Sequence, residues 1–248
     1  MRDDLGTPVE LARPPRRLVS LVPSLTEALA VTVPDRLVGA TDWCTHPADL
    51  DVVRVRGTKN PDRSAIAALA PDLVIANREE NRQLDVERLR AAGIPVWVTV
   101  IESLDQALAS MGRLFGEVLD AGEPDWLRAA AVEWALPPPE PTLRVAVPIW
   151  RDPWMAVGDR TFAGDVLARL GLVNAVADDA SRYPRIEPDR LTDVDLVLLP
   201  DEPYVFTADD GPEAFPGVRS VLVSGRDLTW YGPSLAPARR RLLDAIGP

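Results

Sequence analysis

Residues 103–136 read SLDQALASMGRLFGEVLDAGEPDWLRAAAVEWAL and separate two halves of the chain that repeat the same pattern. Apolar side chains recur in this stretch at spacings of three and four, which is typical of a helix with one buried face. Gly122 and Pro124 interrupt it, because glycine closes a helix readily and proline opens one. Three consecutive prolines, at 137–139, then end the second helix. The stretch predicts a helical linker over residues 103–141.

The first half alternates short apolar runs with helical patterns. The runs are almost continuous in apolar side chains, as in strands that are buried on both faces of a parallel sheet. Such strands need helical crossovers between them, and the intervening segments supply these. The predicted strands of the first half lie at residues 18–22, 37–41, 52–55, 72–76 and 94–100.

The second half repeats this scheme at an offset of roughly 125 positions, with predicted strands at 143–149, 194–199 and 218–224. The predicted fold class is therefore α/β, with two similar Rossmann-like lobes that contain parallel-type sheets and are joined by a helical backbone linker. Ligands of such folds bind outside the carboxyl ends of the strands, so we expect a ligand cleft between the lobes. The predicted boundaries are a loose tail at 1–14, an N-terminal lobe at 15–102, the linker at 103–141 and a C-terminal lobe at 142–248.

The bulk properties exclude several classes of protein. The net charge of −11 argues against a nucleic-acid or anionic-membrane partner, since both require clustered Lys and Arg. No apolar run reaches the eighteen or so residues of a membrane span. The first residues lack the basic and apolar segments of a secretory signal, so we expect a cytoplasmic protein unless translation starts at another site. Cys44 is the only cysteine, which excludes an internal disulfide.

Aromatic side chains concentrate in the loops that follow the predicted strands. Trp43, Trp154 and Trp230 are the tryptophans that we expect to contact a ligand, because aromatic rings offer a wide contact surface at a low entropy cost. Tyr183 and Tyr231 lie in loops of the same kind. The alternative is that these rings seal the loops against their own lobe.

Three kinds of chemistry have candidate residues but no complete arrangement. Cys44 and His46 are the only Cys and His, whereas a zinc site requires three or four such ligands. His46 would also be the only base of a hydrolytic triad, and no serine lies in a GxSxG turn. Glu79 and Glu80 could work as a carboxylate pair, but neighbouring arginines favour a solvated turn. We therefore predict no catalytic residues and no metal ligands.

Motifs along the first half resemble those of a known family. They are Leu18–Glu27 (LVSLVPSLTE), Leu37–Gly39, Cys44 with His46 and Pro47, Gly57–Pro61 (GTKNP) and Ala70–Asn77 (APDLVIAN). These motifs are similar to those of the class III periplasmic-binding-protein-like family, the helical backbone metal receptors. Within it, the likeness is to the cobalamin (vitamin B12) and iron-chelate substrate-binding proteins of ABC importers. It covers nearly the whole chain from about Arg16 and is looser in the second half.

The resemblance implies a binding protein rather than an enzyme. Members of the family hold a corrinoid or a metal chelate between two rigid lobes with aromatic side chains, and the resemblance implies no obligatory cofactor. We therefore expect non-catalytic binding of a cobalamin-like corrinoid or a related metal chelate. The alternatives are an iron-siderophore or haem binder, and a cytoplasmic enzyme or accessory protein that reuses the fold for a small metabolite.

The expected ligand contacts combine the strand-end loops with this resemblance. The cobalamin binders place ligand-contacting residues at positions that match or lie near Trp43, Tyr183 and the pair Trp154 and Met155. Thr58 and Asn77 occupy places where the best-known cobalamin binder has tryptophans. The complete set of predicted ligand-binding residues is Pro23, Ser24, Trp43, Thr58, Lys59, Asn60, Asn77, Trp154, Met155, Tyr183, Trp230 and Tyr231.

Two features depart from the family pattern. The glutamates with which importer-linked members dock on their permease correspond here to Ser64 and Asp189, which argues against the usual docking on an ABC permease. The second helix of the linker, at about Pro124 to Leu136, would span only roughly 20 Å. That is a few turns less than the resemblance leads us to expect, so we predict an altered spacing or tilt of the lobes.

Overall fold

The computed structural model describes residues 1–11, 14–141, 143–176 and 181–247. They form two compact units that interleave along the sequence. Unit 1 consists of Met1–Ile101, Gln106–Arg128 and Tyr231–Pro233, and unit 2 of Glu102–Asp105, Ala129–Trp230 and Ser234–Pro248. The predicted boundaries gave each lobe one continuous segment, whereas each compact unit takes three.

Unit 1 contains a five-stranded sheet in which every neighbouring pair is parallel. The sheet forms because its central strands present apolar side chains to both faces, where helices cover them. Val19, Val74 and Val96 belong to one buried cluster on a face of this sheet. The spatial order is β3-β2-β1-β6-β7, with β1 at Leu18–Ser20, β2 at Leu37–Ala40, β3 at Val53–Arg54, β6 at Leu73–Asn77 and β7 at Val96–Thr99.

Short helices and one two-stranded ladder lie between these strands, and two further helices follow β7. In the ladder, β4 (Arg56–Gly57) pairs antiparallel with β5 (Asn60–Pro61). The helices are α1 at Pro23–Thr32, α2 at Arg63–Ala68, α3 at Gln83–Ala91, α4 at Leu104–Arg113 and α5 at Asp125–Trp134. A π-helical turn, Leu114–Val118, extends α4.

The sequence predicts a cap at Asn60, because Pro61 follows it, and a capping box formed by Ser24 and Glu27, but neither prediction is correct. The predicted cap of α2 was Asn60, but Asn60 belongs to β5 and the cap is Asp62, which accepts a hydrogen bond from the Ala65 amide at 3.0 Å. Ser24 was expected to cap α1, but it lies inside the helix, which begins at Pro23 without a side-chain cap. Proline at the first position leaves one amide fewer to satisfy, so this helix start needs less capping.

Unit 2 has a smaller parallel sheet of the same kind, in the order β11-β8-β12-β13. The predicted strand at 143–149 is split by a break into two strands. The second of these pairs with β10 in a separate antiparallel ribbon. The strands are β8 at Leu143–Ala146, β9 at Pro148–Trp150, β10 at Met155–Ala156, β11 at Leu172–Asn174, β12 at Leu196–Pro200 and β13 at Arg219–Val223.

Three helices complete unit 2: α6 at Phe162–Arg169, α7 at Gly225–Thr229 and α8 at Leu235–Ile246. Side-chain hydroxyls cap the first two, because Thr161 and Ser224 accept hydrogen bonds from amides of the first turn. The α/β class with parallel sheets in two units is therefore confirmed.

The linker stretch is helical, as predicted, but α5 has ten residues and so spans about 15 Å. The altered spacing or tilt of the lobes stays a prediction. Within the described residues, no helix combines the length and the apolar composition that crossing a bilayer requires.

The cap of α2 is directly testable. We expect Asp62→Ala to lower the midpoint of thermal unfolding by roughly 2–4 °C, because the Ala65 amide loses its acceptor. Asp62→Asn should retain most of the stability, since asparagine also caps helices. Asn60→Ala is the matched control, and a drop as large as that of Asp62→Ala would contradict this assignment. Differential scanning calorimetry measures all three variants.

Candidate functional site

The sheet of unit 1 has a topological switch point beside its central strand. β1 pairs with β2 on one side and with β6 on the other, so the chain leaves β1 and β6 toward opposite edges. In open parallel sheets, ligands bind outside the carboxyl ends of the strands at such a point. Here the loops are those that follow Ser20 and Asn77, with the turn of β4 and β5 beside them.

Asn81 connects these three loops through its buried side-chain amide. Its Nδ2 donates to the carbonyl oxygens of Leu21 at 3.2 Å and Thr58 at 3.0 Å, and its Oδ1 accepts from the Asn77 amide at 2.9 Å. A buried amide that is satisfied on both ends holds its partners in one geometry. Asn81 was missing from the predicted site, although its place four residues after the end of β6 could have indicated it.

Asn77 is itself buried, and its side chain is used inside the loop. Its Nδ2 donates to Thr99 Oγ1 at 3.1 Å, and its Oδ1 accepts from the Glu79 amide at 2.8 Å. Asn77 therefore shapes the end of β6 from beneath, at a position where we expected a ligand contact.

Thr58 and Lys59 form the turn of the ladder and lie at this end of the sheet. The Lys59 Nζ donates to the Glu79 carbonyl oxygen at 2.5 Å, which ties the turn to the loop after β6. Thr58 is partly buried, whereas Lys59 and Asn60 are exposed. The structure thus brings these three predicted residues together with Asn77 around one hydrogen-bonded set of loops.

Trp43 is the most exposed large apolar side chain of this edge, at 68% of its surface. It lies over the ladder, where Gly57 approaches it closely. A Cβ atom at Gly57 would come within 3.3 Å of the Trp43 Nε1 and 2.5 Å of the Asn60 Oδ1, so a larger residue there would force both side chains to shift. An indole that is exposed beside a rigid turn offers a flat apolar surface to a ligand.

Cys44 anchors the loop that carries Trp43. Its buried sulfur lies 3.0 Å from Thr26 Oγ1 and 3.1 Å from Thr41 Oγ1. Burial raises the pKa of the Cys44 thiol, despite the two hydroxyl groups that lower it. Its role in the structure is to hold the loop. The described residues contain no group of three or more His, Cys, Asp and Glu placed to hold a metal ion.

Tyr231 belongs to unit 1, although it follows unit 2 residues in the sequence. Its ring is buried, and its hydroxyl donates to Glu80 Oε1 at 3.4 Å. The next residue, Gly232, packs so closely on α1 that a Cβ atom would come within 2.7 Å of the Ser24 carbonyl oxygen. Burial, and then the negative charge of Glu80, hold the pKa of Tyr231 well above 10.0. Tyr231 and Ser24 therefore pack within unit 1, beside the half-exposed Pro23.

The other predicted residues lie in the strand-end loops of unit 2. The loop of Tyr183 pairs with β10, because the Ile186 amide donates to the Trp154 carbonyl oxygen at 3.1 Å. Tyr183 and Met155 are partly buried. The structure thus brings Trp154, Met155 and Tyr183 into one region of unit 2.

Trp154 and Trp230 pack mainly inside unit 2, as the alternative to ligand contact described. The Trp154 ring stacks on Phe206 with a centroid distance of 5.7 Å and an interplanar angle of 9°, and meets the edge of Phe215. Trp230 is buried, with the Arg226 guanidinium 5.2 Å from its ring centroid. Little of the Trp230 surface is left for a ligand.

Two aromatic residues of unit 2 that the predicted set omitted are the exposed Trp150 and the partly buried Tyr204. The Trp150 side chain is 45% exposed and meets Tyr204 edge to face at 5.9 Å. The Tyr204 hydroxyl donates to Asp210 Oδ2 at 2.6 Å, and this bond raises the pKa of Tyr204. Trp150 is the last residue of β9 and Tyr204 lies in the loop that follows β12, and these positions at strand ends could have indicated them.

The chain is similar to known proteins both in sequence and in fold. No protein-family model matches the chain. A vitamin B12-binding protein of Vibrio cholerae is 25% identical over 215 residues, which cover 82% of this chain and 75% of the relative. The crystal structure of the periplasmic vitamin B12-binding protein BtuF of Vibrio cholerae superposes with a TM-score of 0.74 at 18% identity, covering 94% of this chain and 97% of that one.

The periplasmic heme-binding protein BhuT, in complex with two hemes, also has a TM-score of 0.74, at 24% identity over 93% of this chain and 99% of that one. In sequence the chain is thus similar to vitamin B12-binding proteins, and in fold to periplasmic vitamin B12-binding and heme-binding proteins. The resemblance found in the sequence is confirmed. The named relatives are binding proteins, and the family fold extends over both units of this chain.

The buried Tyr231 makes stability depend on pH in the alkaline range. Below pH 10 the phenol is protonated in both states and contributes no pH dependence. Above it, the unfolded state releases a proton that the folded state retains, so the free energy of unfolding falls as pH rises. We expect the free energy of unfolding of the Tyr231→Phe variant, measured by urea denaturation, to fall less steeply between pH 9.5 and 11 than that of the wild type. Parallel curves for wild type and variant would contradict the high pKa.

Proposed function

We propose that the protein reversibly binds a corrinoid or a related metal chelate without chemical turnover. The observation that carries the proposal is the exposed Trp43 indole, which lies beside the rigid turn of Thr58 and Lys59 at the switch point of a parallel sheet. The names of the relatives support it, because they describe vitamin B12-binding and heme-binding proteins.

The chemistry of the loops suits a large, flat ligand. A macrocycle can stack on an exposed indole, and its polar edge can then meet the hydroxyl, ammonium and amide groups of Thr58, Lys59 and Asn60. The Asn81 bridge holds the turn before the ligand arrives, so little entropy is lost in ordering it. From unit 2, we propose Trp154, Met155 and Tyr183 as further contacts, with smaller contributions because all three are partly buried.

The remaining members of the predicted set act mainly by shaping the loops. Four of them are buried, namely Ser24, Asn77, Trp230 and Tyr231. We propose that these four, and Pro23 at the start of α1, support the exposed residues. No catalytic role is assigned to any of them. The Lys59 ammonium, the only lysine side chain of the sequence, donates to a backbone carbonyl.

Two predictions about the protein's surroundings stay predictions. Ser64 and Asp189 are both exposed, so a partner could reach them. Their exposure does not support the prediction that the protein no longer docks on an ABC permease. The predicted cytoplasmic location is likewise not supported by the compared structures, since BtuF and BhuT are described as periplasmic.

Titration with candidate chelates tests the proposed function. Cobalamin, cobinamide, haem and a ferric siderophore are added to the purified protein while tryptophan fluorescence is recorded. We expect saturable quenching by at least one of them at micromolar concentration, because a bound macrocycle would absorb the emission of nearby indoles. If none of the four quenches the emission in this range, the proposal is wrong.

The Trp43 contact is tested by removing the ring. For the chelate that binds, we expect Trp43→Leu to raise the Kd about fivefold to tenfold, which corresponds to about 1 kcal/mol of lost stacking. Isothermal titration calorimetry is the appropriate measurement, because the substitution itself changes the fluorescence. Trp126→Phe is the matched control, since Trp126 donates to Thr32 on α1, away from these loops. An equal Kd for wild type and Trp43→Leu would exclude the contact.

A further inference from the structure

Unit 1 has a concave surface apart from the strand-end loops. It is a groove of about 390 Å³ between the ladder, α2 and α3. Three arginines, Arg56, Arg63 and Arg88, line it from these three different elements. Its other lining residues are Asp62 and Ser64 with a mostly apolar group, Pro61, Ala67, Leu89, Ala92 and Ile94. We call this surface the arginine groove.

The arginine groove has a surplus of positive charge in a chain whose net charge is −11. Asp62 is the only acidic residue of its lining. That carboxylate is already used, because Oδ1 caps α2 and Oδ2 lies 3.6 Å from the Arg56 Nε. The hydrogen bond from the Ala65 amide is the main reason why the pKa of Asp62 lies below its usual value.

The three guanidinium groups are only loosely paired. Arg63 Nε is 3.9 Å from Asp85 Oδ1, at the limit of an ion pair. Within the described part of the chain, the Arg88 side chain has no ion pair. Exposed pairs at such distances contribute little to stability, so a bound anion could replace them at low cost. The donors of the groove are thus available to a ligand.

Arg56 adopts a backbone conformation that its residue type does not favour. Its φ angle is +65°, in the left-handed region where glycine and asparagine are usual. Its side chain is 70% exposed, so packing in the core does not explain why an arginine stands there. A strained residue with an exposed charged side chain is typical of a position selected for binding.

We propose that the arginine groove binds a small organic anion that carries two or more carboxylate or phosphate groups. Guanidinium groups suit such oxyanions because their planar forks donate paired hydrogen bonds. The volume lies in the range of small-molecule sites, and the apolar lining can contact the carbon skeleton of the ligand. This site is independent of chelate binding at the strand-end loops.

Calorimetric titration with citrate and with tripolyphosphate tests the proposal, at constant ionic strength and with acetate as the monovalent comparison. We expect saturable binding of at least one multivalent probe, and none of acetate in the same range. Arg88→Gln and Arg56→Gly should each raise the Kd at least tenfold. Arg56→Gly also relieves the strained φ angle, so thermal unfolding without ligand should show an undiminished midpoint.

Arg240→Gln is the matched control, because Arg240 is exposed on α8 outside the groove. An equal loss of affinity in this variant would show general charge attraction and overturn the proposal. The proposal would also be overturned if citrate and tripolyphosphate bound no better than acetate. A third contrary result would be that an acidic peptide such as hexaglutamate binds whereas the small anions do not. That last outcome would assign the groove to an acidic protein segment. Chelate titration of Arg88→Gln, whose position lies on α3 outside the ladder, should be unchanged, which separates this test from that of the proposed function.

Discussion

The hydrogen bonds of one buried side chain, the amide of Asn81, hold the candidate site of unit 1 together. The amide reaches the loop after β1, the turn of the ladder and the end of β6, three segments that lie far apart in the sequence. Each of these carbonyl and amide groups would be left without a partner if the side chain were lost, which is costly in a buried position. The Lys59 contact with the Glu79 carbonyl then fixes the turn from the outside. The exposed Trp43 ring is therefore presented by a rigid surface.

The two sheets explain why the loops converge. In both units the strands are parallel, and the chain leaves the first strand on one side and returns on the other. The carboxyl ends of the strands therefore gather the loops at one edge. In unit 1 this edge carries polar side chains with one exposed indole. In unit 2 it carries a stack of aromatic rings, in which Trp154, Phe206 and Phe215 fill the interior while Trp150 is half exposed.

Glycine and asparagine residues have different structural roles around these loops. Gly57 and Gly232 permit close approach, beneath Trp43 and against α1 respectively, where a Cβ atom would collide with its neighbours. Asn81 instead supplies both a donor and an acceptor to backbone groups, whereas Asn77 accepts from the Glu79 backbone amide and donates to the Thr99 side-chain hydroxyl. The arginine groove is built differently, since it collects charge from exposed side chains on separate elements and leaves it largely uncompensated.

The sequence by itself determined the α/β class, the parallel sheets, the helical character of residues 103–136 and the family resemblance. The first three follow from the period of apolar residues and from local turn chemistry, which neighbours along the chain control. The resemblance rests on short motifs, such as those at Leu18–Glu27 and Ala70–Asn77. The tertiary structure alone decided which aromatic rings are exposed, that Asp62 rather than Asn60 caps α2, and that Tyr231 belongs to unit 1. It also revealed the Asn81 bridge and the arginine groove. Burial and hydrogen-bond partners depend on residues that are distant in the sequence, so no local pattern could have specified them.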